Sequence, residues 1–462
     1  MKPIQLKEIA RWCGGTVEPQ YENIVVECVS TDSREVREGA LFVPLVGANV
    51  DGHTYIRRSI ENGARAALCA NGKDYPDIPL IRVQDTLKAF GAVAAGYRAA
   101  MSCRVLGITG SVGKTTTKEM LAAILRRRWR TIWTEGNHNN QLGLPMTVMD
   151  ISEDTEMAVL ELGMNHFGEM SYLTKIARPD MAIFTNIGTM HIENLGSRES
   201  ILRAKLEILE GMDEDQGFLV LNGDEPLLWE LRGQLKFRRC YFGINNPACD
   251  VRATDLHADD SGVRFRAEAY GKSFEVFVPA NGRHTVYDAL AATAAALQCG
   301  AEPEDVAAGL GGFENTGMRQ QIFVKNGYTI LADCYNAGPE SMAAALEVLA
   351  ERSCEGRRIA VLGDMLELGS ASMAEHYRVG RLAVGKADMI FAYGVNATRV
   401  ATGAVTGGMP AGKAMYFDDQ DQLVYELIAQ AEPGDTLLFK GSRGMKMERA
   451  LKLFLAGGDE EL

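Results

Sequence analysis

The stretch VLGITGSVGKTTT, residues 105–117, predicts how the centre of this chain folds and what it binds. An apolar strand runs into a glycine turn, and a helix follows from near Lys114. Gly110 and Gly113 allow backbone N–H groups to approach an anion closely, and the helix adds the positive end of its dipole. Lys114 supplies a point charge for terminal phosphates, and Thr115 offers a hydroxyl to an accompanying Mg²⁺. The stretch therefore predicts a loop that binds a nucleoside triphosphate, with ATP as the working assumption.

The loop departs from the usual P-loop pattern at one position. That pattern places a glycine five residues before Gly113, where this chain has Ile108, so the loop has the compact G-x-x-G-K-T form. The alternative is an ordinary glycine turn followed by a surface lysine. An amphipathic helix follows the loop, with Met120, Leu121 and Leu125 at helical spacing. The coincidence of strand, turn, Lys-Thr pair and helix favours phosphate binding.

The composition is typical of a large globular enzyme. The chain has 462 residues, 46% of them hydrophobic, which is too many for one core and predicts about three domains. A net charge of −13 argues against sequence-independent binding to nucleic acid. The nine cysteines include no C-x-x-C pair, which favours reduced thiols. No apolar run reaches the ~18 residues of a membrane span, and the start has no signal core, so we expect a soluble cytoplasmic protein without membrane insertion.

Strand and helix patterns divide the chain into three domains of α/β class. Residues 1–101 mix short strands and helices and predict a small α/β domain. Residues 102–312 alternate strands and helices as a P-loop mononucleotide-binding parallel sheet does, and residues 263–278 predict an added antiparallel hairpin. Residues 313–462 restart the alternation and predict a Rossmann-like domain. No G-x-G-x-x-G follows the first strand of this third domain, so a dinucleotide is not implied.

Two polar turns in the first domain are candidate binding sites. Asp32, Ser33 and Arg34 form one turn, and Asp51 with His53 forms the other, each where a strand meets a loop. Loops at such positions commonly bind ligands. Asp32 and Asp51 could equally make side-chain hydrogen bonds within their own turns, so the residues alone leave both interpretations open.

Polar residues also follow three predicted strands of the second domain. They lie at 135–140, at Glu161 and at 186–191, and the carboxyl ends of parallel strands are where α/β sheets bind ligands. Glu161 is the natural partner of Thr115 for Mg²⁺, although a glutamate at a strand end is commonly just solvated. His191 by itself is more typical of a turn or packing residue, since imidazole is an unusual ligand for Mg²⁺.

Lys205 lies on the apolar face of a predicted helix. The residues three and four positions away are Ile201, Leu202, Ile208 and Leu209. A lysine there either snorkels from the edge of the buried stripe or is needed where the helix faces a site, and snorkelling is the simpler interpretation.

The third domain carries polar groups at comparable strand ends. Asp333, Tyr335 and Asn336 follow its first predicted strand. Arg319 precedes that strand, and residues 440–443, with sequence KGSR, follow the last one. These cations could meet anionic substrate groups across a domain interface, or they could be ordinary surface charges.

Taken together, these motifs resemble those of the Mur ligases of bacterial cell-wall synthesis along nearly the whole chain. The segment GDMLELG, residues 363–369, most separates the members that add D-alanyl-D-alanine from those that add the third residue of the peptide. The other motifs that carry the resemblance are Asp32-Ser33-Arg34, Asp51-Gly52-His53, TGSVGKTT at 109–116, GNHNNQLGLP at 136–145, ELG at 161–163, NIGTMH at 186–191, AKLE at 204–207, YNA at 335–337 and KGS at 440–442.

The resemblance implies a three-domain ATP-dependent ligase. The first domain would hold UDP-N-acetylmuramoyl-tripeptide, the second ATP with Mg²⁺, and the third the incoming D-alanyl-D-alanine. ATP would phosphorylate the terminal carboxylate of the tripeptide, and the amine of the dipeptide would attack the acyl phosphate to form an amide. We expect ADP and phosphate as the other products, and a protein that acts as a monomer.

The resemblance also implies roles for individual residues. Lys205 would be carbamylated by CO₂ into an anionic group of the metal site, which would explain a lysine on an apolar face. The implied catalytic residues are Lys114, His191, Lys205 and Asn336, and the implied metal ligands are Thr115, Glu161, His191 and Lys205. The implied ATP contacts are Thr109, Gly110, Ser111, Val112, Gly113, Lys114, Thr115, Thr116, His284, Asp288, Arg319, Asp333, Tyr335 and Asn336. The implied substrate contacts are Asp32, Ser33, Arg34, Asp51, His53, Asn137, Asn139, Asn140, Lys440 and Ser442.

The chain departs from the family pattern at the periphery of the nucleotide site. Where the family has His-Asn-x-x-Asn for adenine, this chain has Thr285 and Asp288 after His284. Gly338 replaces a common asparagine, and Cys334 occupies a variable position. Three alternatives follow: a Mur ligase that adds the third peptide residue, an amide ligase such as folylpolyglutamate synthase, which lacks the first domain seen here, and a nucleotide-switched regulator on the same fold.

Overall fold

The computed structural model describes residues 1–47, 49–73, 75–315 and 317–458. Three α/β units follow one another along this part of the chain, each with its own sheet. We keep the boundaries between residues 101 and 102 and between residues 312 and 313 as predictions. Short 3₁₀ segments occur at Pro19–Tyr21, Gly52–Tyr55, Glu207–Gly211, Gly369–Ala371, Ala411–Lys413 and Arg443–Met445.

The first unit is built on a small mixed sheet. Its elements are β1 (Ile4–Gln5), α1 (Leu6–Cys13), β2 (Thr16–Val17), β3 (Val25–Val26), β4 (Cys28–Ser30), β5 (Ala40–Phe42), α2 (Ile56–Glu61), β6 (Ala64–Ala70), β7 (Leu80–Val83) and α3 (Thr86–Ala99). The sheet has the order β2-β7-β6-β5-β4, antiparallel between β2 and β7 and parallel elsewhere, and β1 pairs with β3. β5 ends at Phe42, and Pro44, two residues further on, has no N–H to continue a ladder.

The second unit extends a parallel sheet with the predicted hairpin. Its elements are β8 (Arg104–Thr109), α4 (Lys114–Leu125), β9 (Thr131–Trp133), α5 (Gly143–Met149), β10 (Met157–Glu161), α6 (Glu169–Ala177), β11 (Met181–Phe184), α7 (Ile192–Leu195), α8 (Arg198–Leu206), β12 (Phe218–Asn222), α9 (Pro226–Trp229), β13 (Arg238–Gly243), β14 (Val251–Asp259), β15 (Gly262–Ala269), β16 (Lys272–Val278), α10 (Arg283–Cys299) and α11 (Pro303–Gly311). The order is β16-β15-β14-β13-β12-β11-β8-β10-β9. Pairing is antiparallel only from β14 to β16.

The third unit repeats the α/β pattern on a sheet of its own. Its elements are β17 (Gln321–Lys325), β18 (Tyr328–Asp333), α12 (Pro339–Glu351), β19 (Arg358–Gly363), α13 (Ser372–Ala383), β20 (Met389–Tyr393), α14 (Ala397–Thr406), β21 (Ala414–Phe417), α15 (Gln420–Gln430), β22 (Thr436–Lys440) and α16 (Met447–Leu455). The order is β17-β18-β22-β19-β20-β21, and only β17 runs antiparallel to its neighbour. The alternation predicted for this part of the chain is confirmed.

Packing between units brings their strand ends together. The core of the first unit is continuous with one face of the central sheet, because α3 packs against α5 and α6. On the other face, the alanine-rich α10 packs closely against α4, with small side chains such as Ala289 and Ala292 fully buried. Across residues 1–47, 49–73, 75–315 and 317–458, no helix combines the length and the apolar character needed to span a bilayer.

Candidate active site

A cleft of about 1180 Å³ lies where the three units meet. Its walls include Leu45 from the first unit, Lys114 and Asn139 from the second, and Asn336 and Lys440 from the third. The carboxyl ends of β8, β10, β18 and β22 open toward it, as expected for ligand sites in parallel α/β sheets.

The loop between β8 and α4 has the geometry of an anion cradle. Gly110 and Gly113 adopt φ of 155° and 82°, and a Cβ at Gly110 would lie 1.8 Å from Oγ1 of Thr185, so only glycine fits there. The side chain of Asn186 holds the loop, because its Oδ1 accepts from the N–H groups of Ser111 and Val112 at 3.1 and 3.0 Å. The loop therefore presents the N-terminus of α4 to the cleft.

Lys114 and its neighbours, which the sequence predicts to bind phosphate, line the cleft at this loop. Lys114 Nζ donates to the carbonyl of Gly110 at 2.8 Å, and burial lowers the pKa of this amine. Thr115 and Thr116 line the same wall of the cleft. Thr109 is buried beneath the loop, and among the described residues its hydroxyl has no hydrogen-bond partner.

Glu161 joins Thr115 at the edge of the loop. Thr115 Oγ1 donates to Glu161 Oε2 at 2.7 Å, and Asn139 Nδ2 donates to Glu161 Oε1 at 2.8 Å. A hydroxyl and a carboxylate are hard oxygen donors, so this pair fits Mg²⁺. Within the described ranges no three His, Cys, Asp or Glu side chains cluster into a metal site, so nucleotide oxygens and water would complete the coordination.

His191 and Lys205 lie close enough to Lys114 for its charge to affect both. His191 has the left-handed φ of 64°, and its Nδ1 lies 2.6 Å from Glu367 Oε2 of the third unit. Burial and the charge of Lys114 lower the pKa of His191. Lys205 does not snorkel: it is 2% exposed, and its side-chain amine makes no hydrogen bond or ion pair with another described residue. Burial, and then the charge of Lys114, lower its pKa well below the usual value, which favours the neutral amine.

The start of α10 lines the cleft beside the phosphate loop. Asp288 is buried beside the phosphate loop, and its Oδ1 accepts from Thr117 Oγ1 at 3.2 Å. No lysine or arginine in the described ranges reaches ion-pair distance of Asp288, and burial raises its pKa well above the usual value. His284 Nε2 lies 2.6 Å from Nε2 of Gln320, so the start of α10 contacts the segment that leads into the third unit.

The third unit contributes an aromatic and ionic group to the cleft. The guanidinium of Arg319 lies 4.0 Å from the ring centroid of Tyr335. Lys440 Nζ donates to Asp333 Oδ2 at 2.5 Å and to the carbonyl of Asn336 at 3.0 Å. These five residues, which the sequence separates by up to 121 positions, line one wall.

Ser442 is buried and turned away from this wall. Its hydroxyl donates to the carbonyl of Ala337 at 3.1 Å and accepts from the N–H of Leu366 at 2.9 Å. It therefore ties together two loops at the end of the third sheet.

The predicted residues of the first unit are arranged in local turns. Arg34 pairs with Asp32 at 2.5 Å, and hydrogen bonds from Arg34 lower the pKa of Asp32 to about 2. Asp51 accepts from Lys73 and contacts His53, both at 2.6 Å, and these groups lower the pKa of Asp51.

The two turns lie away from the cleft wall. In the first turn, the carbonyl of Ser33 accepts a hydrogen bond from the side chain of Asn62. In the central unit, the carbonyl of Asn137 accepts a hydrogen bond from the N–H of Asn139. Of the predicted substrate residues, Asn139, Asn140 and Lys440 line the cleft.

Several residues line the cleft although no motif in the sequence predicted them as site residues. Leu45 and Gly47 come from a loop after a short strand, and Asp224 accepts a hydrogen bond from the hydroxyl of Tyr287 at 2.8 Å in the lining of the cleft. Burial and Asp224 raise the pKa of Tyr287 to about 12. Glu340 sits in the first turn of a helix, where an acidic residue is common for reasons of the helix dipole alone.

Models of one protein family match residues in all three units of the chain. The family model described as "Mur ligase middle domain" matches residues 108–296, and the one described as "Mur ligase, glutamate ligase domain" matches residues 318–443. The model described as "Mur ligase family, catalytic domain" matches residues 25–98. A relative from Bacillus subtilis (strain 168), named UDP-N-acetylmuramoyl-tripeptide--D-alanyl-D-alanine ligase, is 39% identical over 454 residues, 97% of each chain.

Two solved structures have the same fold along nearly the full length. The crystal structure of MurF from Acinetobacter baumannii superimposes with a TM-score of 0.90 at 33% identity over 99% of both chains. The structure of MurF ligase from Thermotoga maritima in complex with ADP gives a TM-score of 0.81 at 28% identity, covering 94% of this chain and 98% of the other.

Proposed function

The chain belongs to the Mur ligase family, and we propose that it joins D-alanyl-D-alanine to UDP-N-acetylmuramoyl-tripeptide, with conversion of ATP to ADP and phosphate, in the synthesis of peptidoglycan precursors. The observation that carries this proposal is the shared cleft. Lys114 of the phosphate loop and Asn336 and Lys440 of the third domain face the same space. A carboxylate activated at the loop can therefore be attacked by an amine held by the third domain.

The first step is transfer of the terminal phosphoryl group to a carboxylate. A carboxylate oxygen of the tripeptide attacks the γ-phosphorus, the bond to the β-phosphate oxygen breaks, and ADP leaves. Lys114 and the N-terminus of α4 stabilise the charge on the transferring group. Mg²⁺, held by Thr115 and Glu161, would neutralise charge on the phosphate oxygens.

The second step is formation of the amide. The amine of D-alanyl-D-alanine attacks the acyl carbon, a tetrahedral intermediate forms, and phosphate leaves as the amine loses a proton. Asn336, at the end of β18, lies on the wall from which this amine would approach. Arg319 and Tyr335 stand beside it, where they would contact the nucleotide.

We also propose that Lys205 is carbamylated. A buried amine with a lowered pKa is nucleophilic at neutral pH, and its attack on CO₂ gives a carbamate anion and a proton. The anion would balance the charge of Lys114 and, with His191, serve a second metal ion. The absence of another partner for Lys205 within the described part of the chain supports this role.

The protein would act as a cytoplasmic monomer. One chain supplies every cleft residue named above, so the site needs no second copy. All nine cysteines are free, as is usual in a reducing compartment where ATP is available.

Product analysis tests the reaction. The purified protein, supplied with Mg·ATP and UDP-N-acetylmuramoyl-tripeptide, should release phosphate only when D-alanyl-D-alanine is added. Single amino acids, tested with the tripeptide and with the shorter UDP-linked dipeptide, serve as controls. Equal turnover with a single amino acid would assign the chain to another ligase activity, and no ADP with any donor would point to a regulator.

A further inference from the structure

We propose that Glu340 is a positioning residue that docks the third domain onto the segment 188–191 and thereby places the acceptor side of the cleft over the phosphate loop. The proposal rests on the ligase function given above. It concerns a residue to which neither the family motifs nor the phosphate and metal sites assign a role.

Glu340 makes a bidentate contact across the domain interface. Its Oε1 accepts from the N–H and the Oγ1 of Thr189 at 2.9 and 3.0 Å, and its Oε2 lies 3.3 Å from the same hydroxyl. Glu340 belongs to the first turn of α12, where the helix dipole favours a carboxylate. The contact is therefore made by a side chain whose own helix holds it in place.

The segment that Glu340 contacts is bonded to the phosphate loop. The N–H of Gly188 donates to Oγ of Ser111 at 2.9 Å, and Asn186 accepts from the N–H groups of Ser111 and Val112. A Cβ at Gly188 would lie 2.8 Å from the carboxyl carbon of Glu340, so the glycine leaves room for this close approach. Two hydrogen bonds in series thus connect Glu340 to the loop.

Neighbouring contacts hold the same segment against the third domain. A Cβ at Gly338 would lie 3.0 Å from Cγ of Met190, so the glycine allows the segment to come close. Further along, His191 Nδ1 lies 2.6 Å from Glu367 Oε2. Four successive residues, 188–191, therefore face the third domain, and Glu340 contacts two of them.

The other end of α12 provides a matched control. The N–H of Ser353 donates to Asp260 Oδ1 at 3.1 Å, and Arg352 donates to the carbonyl of Asp260 at 3.2 Å. Asp260 lies in the turn between β14 and β15, remote from the cleft. Both ends of one helix thus contact the central domain, but only the Glu340 end contacts a segment of the active site.

The decisive variants are Glu340→Ala and Asp260→Ala. Loss of hydrogen bonds to a charged acceptor should lower kcat of Glu340→Ala about tenfold and raise KM for D-alanyl-D-alanine, since the docked arrangement is less populated. The Kd for Mg·ADP should change less than about twofold, because the contacts that shape the loop lie within the central domain. Asp260→Ala should keep wild-type kinetics.

A conservative variant and a smaller change separate positioning from folding. In Glu340→Gln the amide oxygen can accept both hydrogen bonds of Thr189, so most of the activity should return. Thr189→Val removes only the hydroxyl and should cost less than Glu340→Ala, and the double variant should be no worse than Glu340→Ala alone. If Glu340→Ala fails to fold, Thr189→Val still provides the test.

Small-angle scattering tests docking without catalysis. With Mg²⁺ and a non-hydrolysable ATP analogue, Glu340→Ala should have a larger radius of gyration than the wild type and Asp260→Ala. An unchanged radius and unchanged kinetics in Glu340→Ala, or equal losses in Asp260→Ala, would overturn the proposal. A wild-type protein that forms no product would refute the proposed reaction instead, while the scattering comparison would still decide the role of Glu340.

Discussion

Two buried lysines show how differently the two walls of the cleft are built. Lys205 in the central domain and Lys440 in the third domain are each 2% exposed. Lys440 has Asp333 and a backbone carbonyl as partners, whereas Lys205 has no partner among the described residues. The pKa of Lys205 is lowered well below its usual value, first by burial and then by Lys114. The third domain therefore balances the charge of Lys440 by itself, while the central domain leaves Lys205 unbalanced, as is common at sites that bind ligands.

Two buried aspartates repeat the contrast. In the third domain, burial tends to raise the pKa of Asp435, but Arg357 at 2.7 Å and two backbone N–H groups lower it overall. In the central domain, burial raises the pKa of Asp288 well above the usual value, and only Thr117 and the more distant Arg319 oppose it. Unbalanced ionisable groups cluster at sites where binding changes their environment, so the comparison locates the chemistry in the central domain.

The largest expected effect comes from Lys114→Ala. Removal of the point charge at the phosphates should lower kcat at least about a hundredfold, the usual cost of one electrostatic contact to a transition state. Circular dichroism and the thermal unfolding temperature should match the wild type. Activity of Lys114→Ala within tenfold of the wild type would contradict the contrast between the two domains, because the charge of Lys114 would then have no catalytic role.

The two lysines should differ in chemical rescue. Lys205→Ala should lower turnover at least about tenfold, as loss of groups around a metal site does, and a small carboxylic acid should restore part of it. Lys440→Ala should not respond to the acid, because Lys440 acts as a cation. Full activity of untreated Lys205→Ala would remove the carbamate hypothesis.

The two lysines should also differ in stability. Lys440→Met leaves Asp333 unpaired in the interior and should cost about 3–5 kcal/mol of unfolding free energy. Lys205→Met replaces an unpartnered amine by an apolar group and should be neutral or stabilising. Urea denaturation measures both, and an equal loss in the two variants would contradict the difference drawn between the domains.

The two aspartates predict opposite responses to pH. The raised pKa of Asp288 means that its protonated form stabilises the native state, and this contribution is lost as pH rises from the unfolded value through the folded one. Asp288→Asn should therefore melt a few degrees higher than the wild type at pH 7 but not at pH 4. The lowered pKa of Asp435 gives the reverse sign, so Asp435→Asn should melt lower at pH 7, with the difference shrinking as pH falls.

The smallest effect is expected in the first domain. Among the described residues, Asp32 forms an ion pair only with Arg34, in its own exposed turn, so Asp32→Asn should leave the melting temperature unchanged. If Asp32 contacts the UDP-linked substrate, KM for that substrate should rise severalfold while KM for ATP stays constant. An unchanged KM for both would leave Asp32 with a role in the turn only.

Local patterns were enough to predict most regular elements. The hairpin at 263–278 is found as predicted, because the alternation of side chains along a strand reflects short-range geometry. β17 was missed because an antiparallel strand at the edge of its sheet has a weaker pattern than a buried parallel one. β13 and β14, which lie inside the central sheet between β12 and β15, were missed as well.

Most contacts between distant parts of the chain could not be predicted from such local patterns. The pairing of Thr115 with Glu161 could be anticipated, because both residues stand at strand ends beside a recognisable loop. The orientation of Ser442 away from the cleft could not, since it depends on how strands distant in the sequence pair within the third sheet. The contact of Glu340 with Thr189 could not either, since it depends on how two domains pack. The snorkelling interpretation of Lys205 was wrong for a similar reason, because the burial of a side chain depends on residues that are distant in the sequence.

The sequence by itself determined the phosphate loop, the succession of strands and helices, and the family, since these depend on residue type and on spacing along the chain. Only the tertiary structure decided which buried charged groups have a partner in the protein and which have none among the described residues. The physical reason is that desolvation and ion pairing act through space, so the pKa of Lys205 and the partner of Lys440 are fixed by residues far away in the chain.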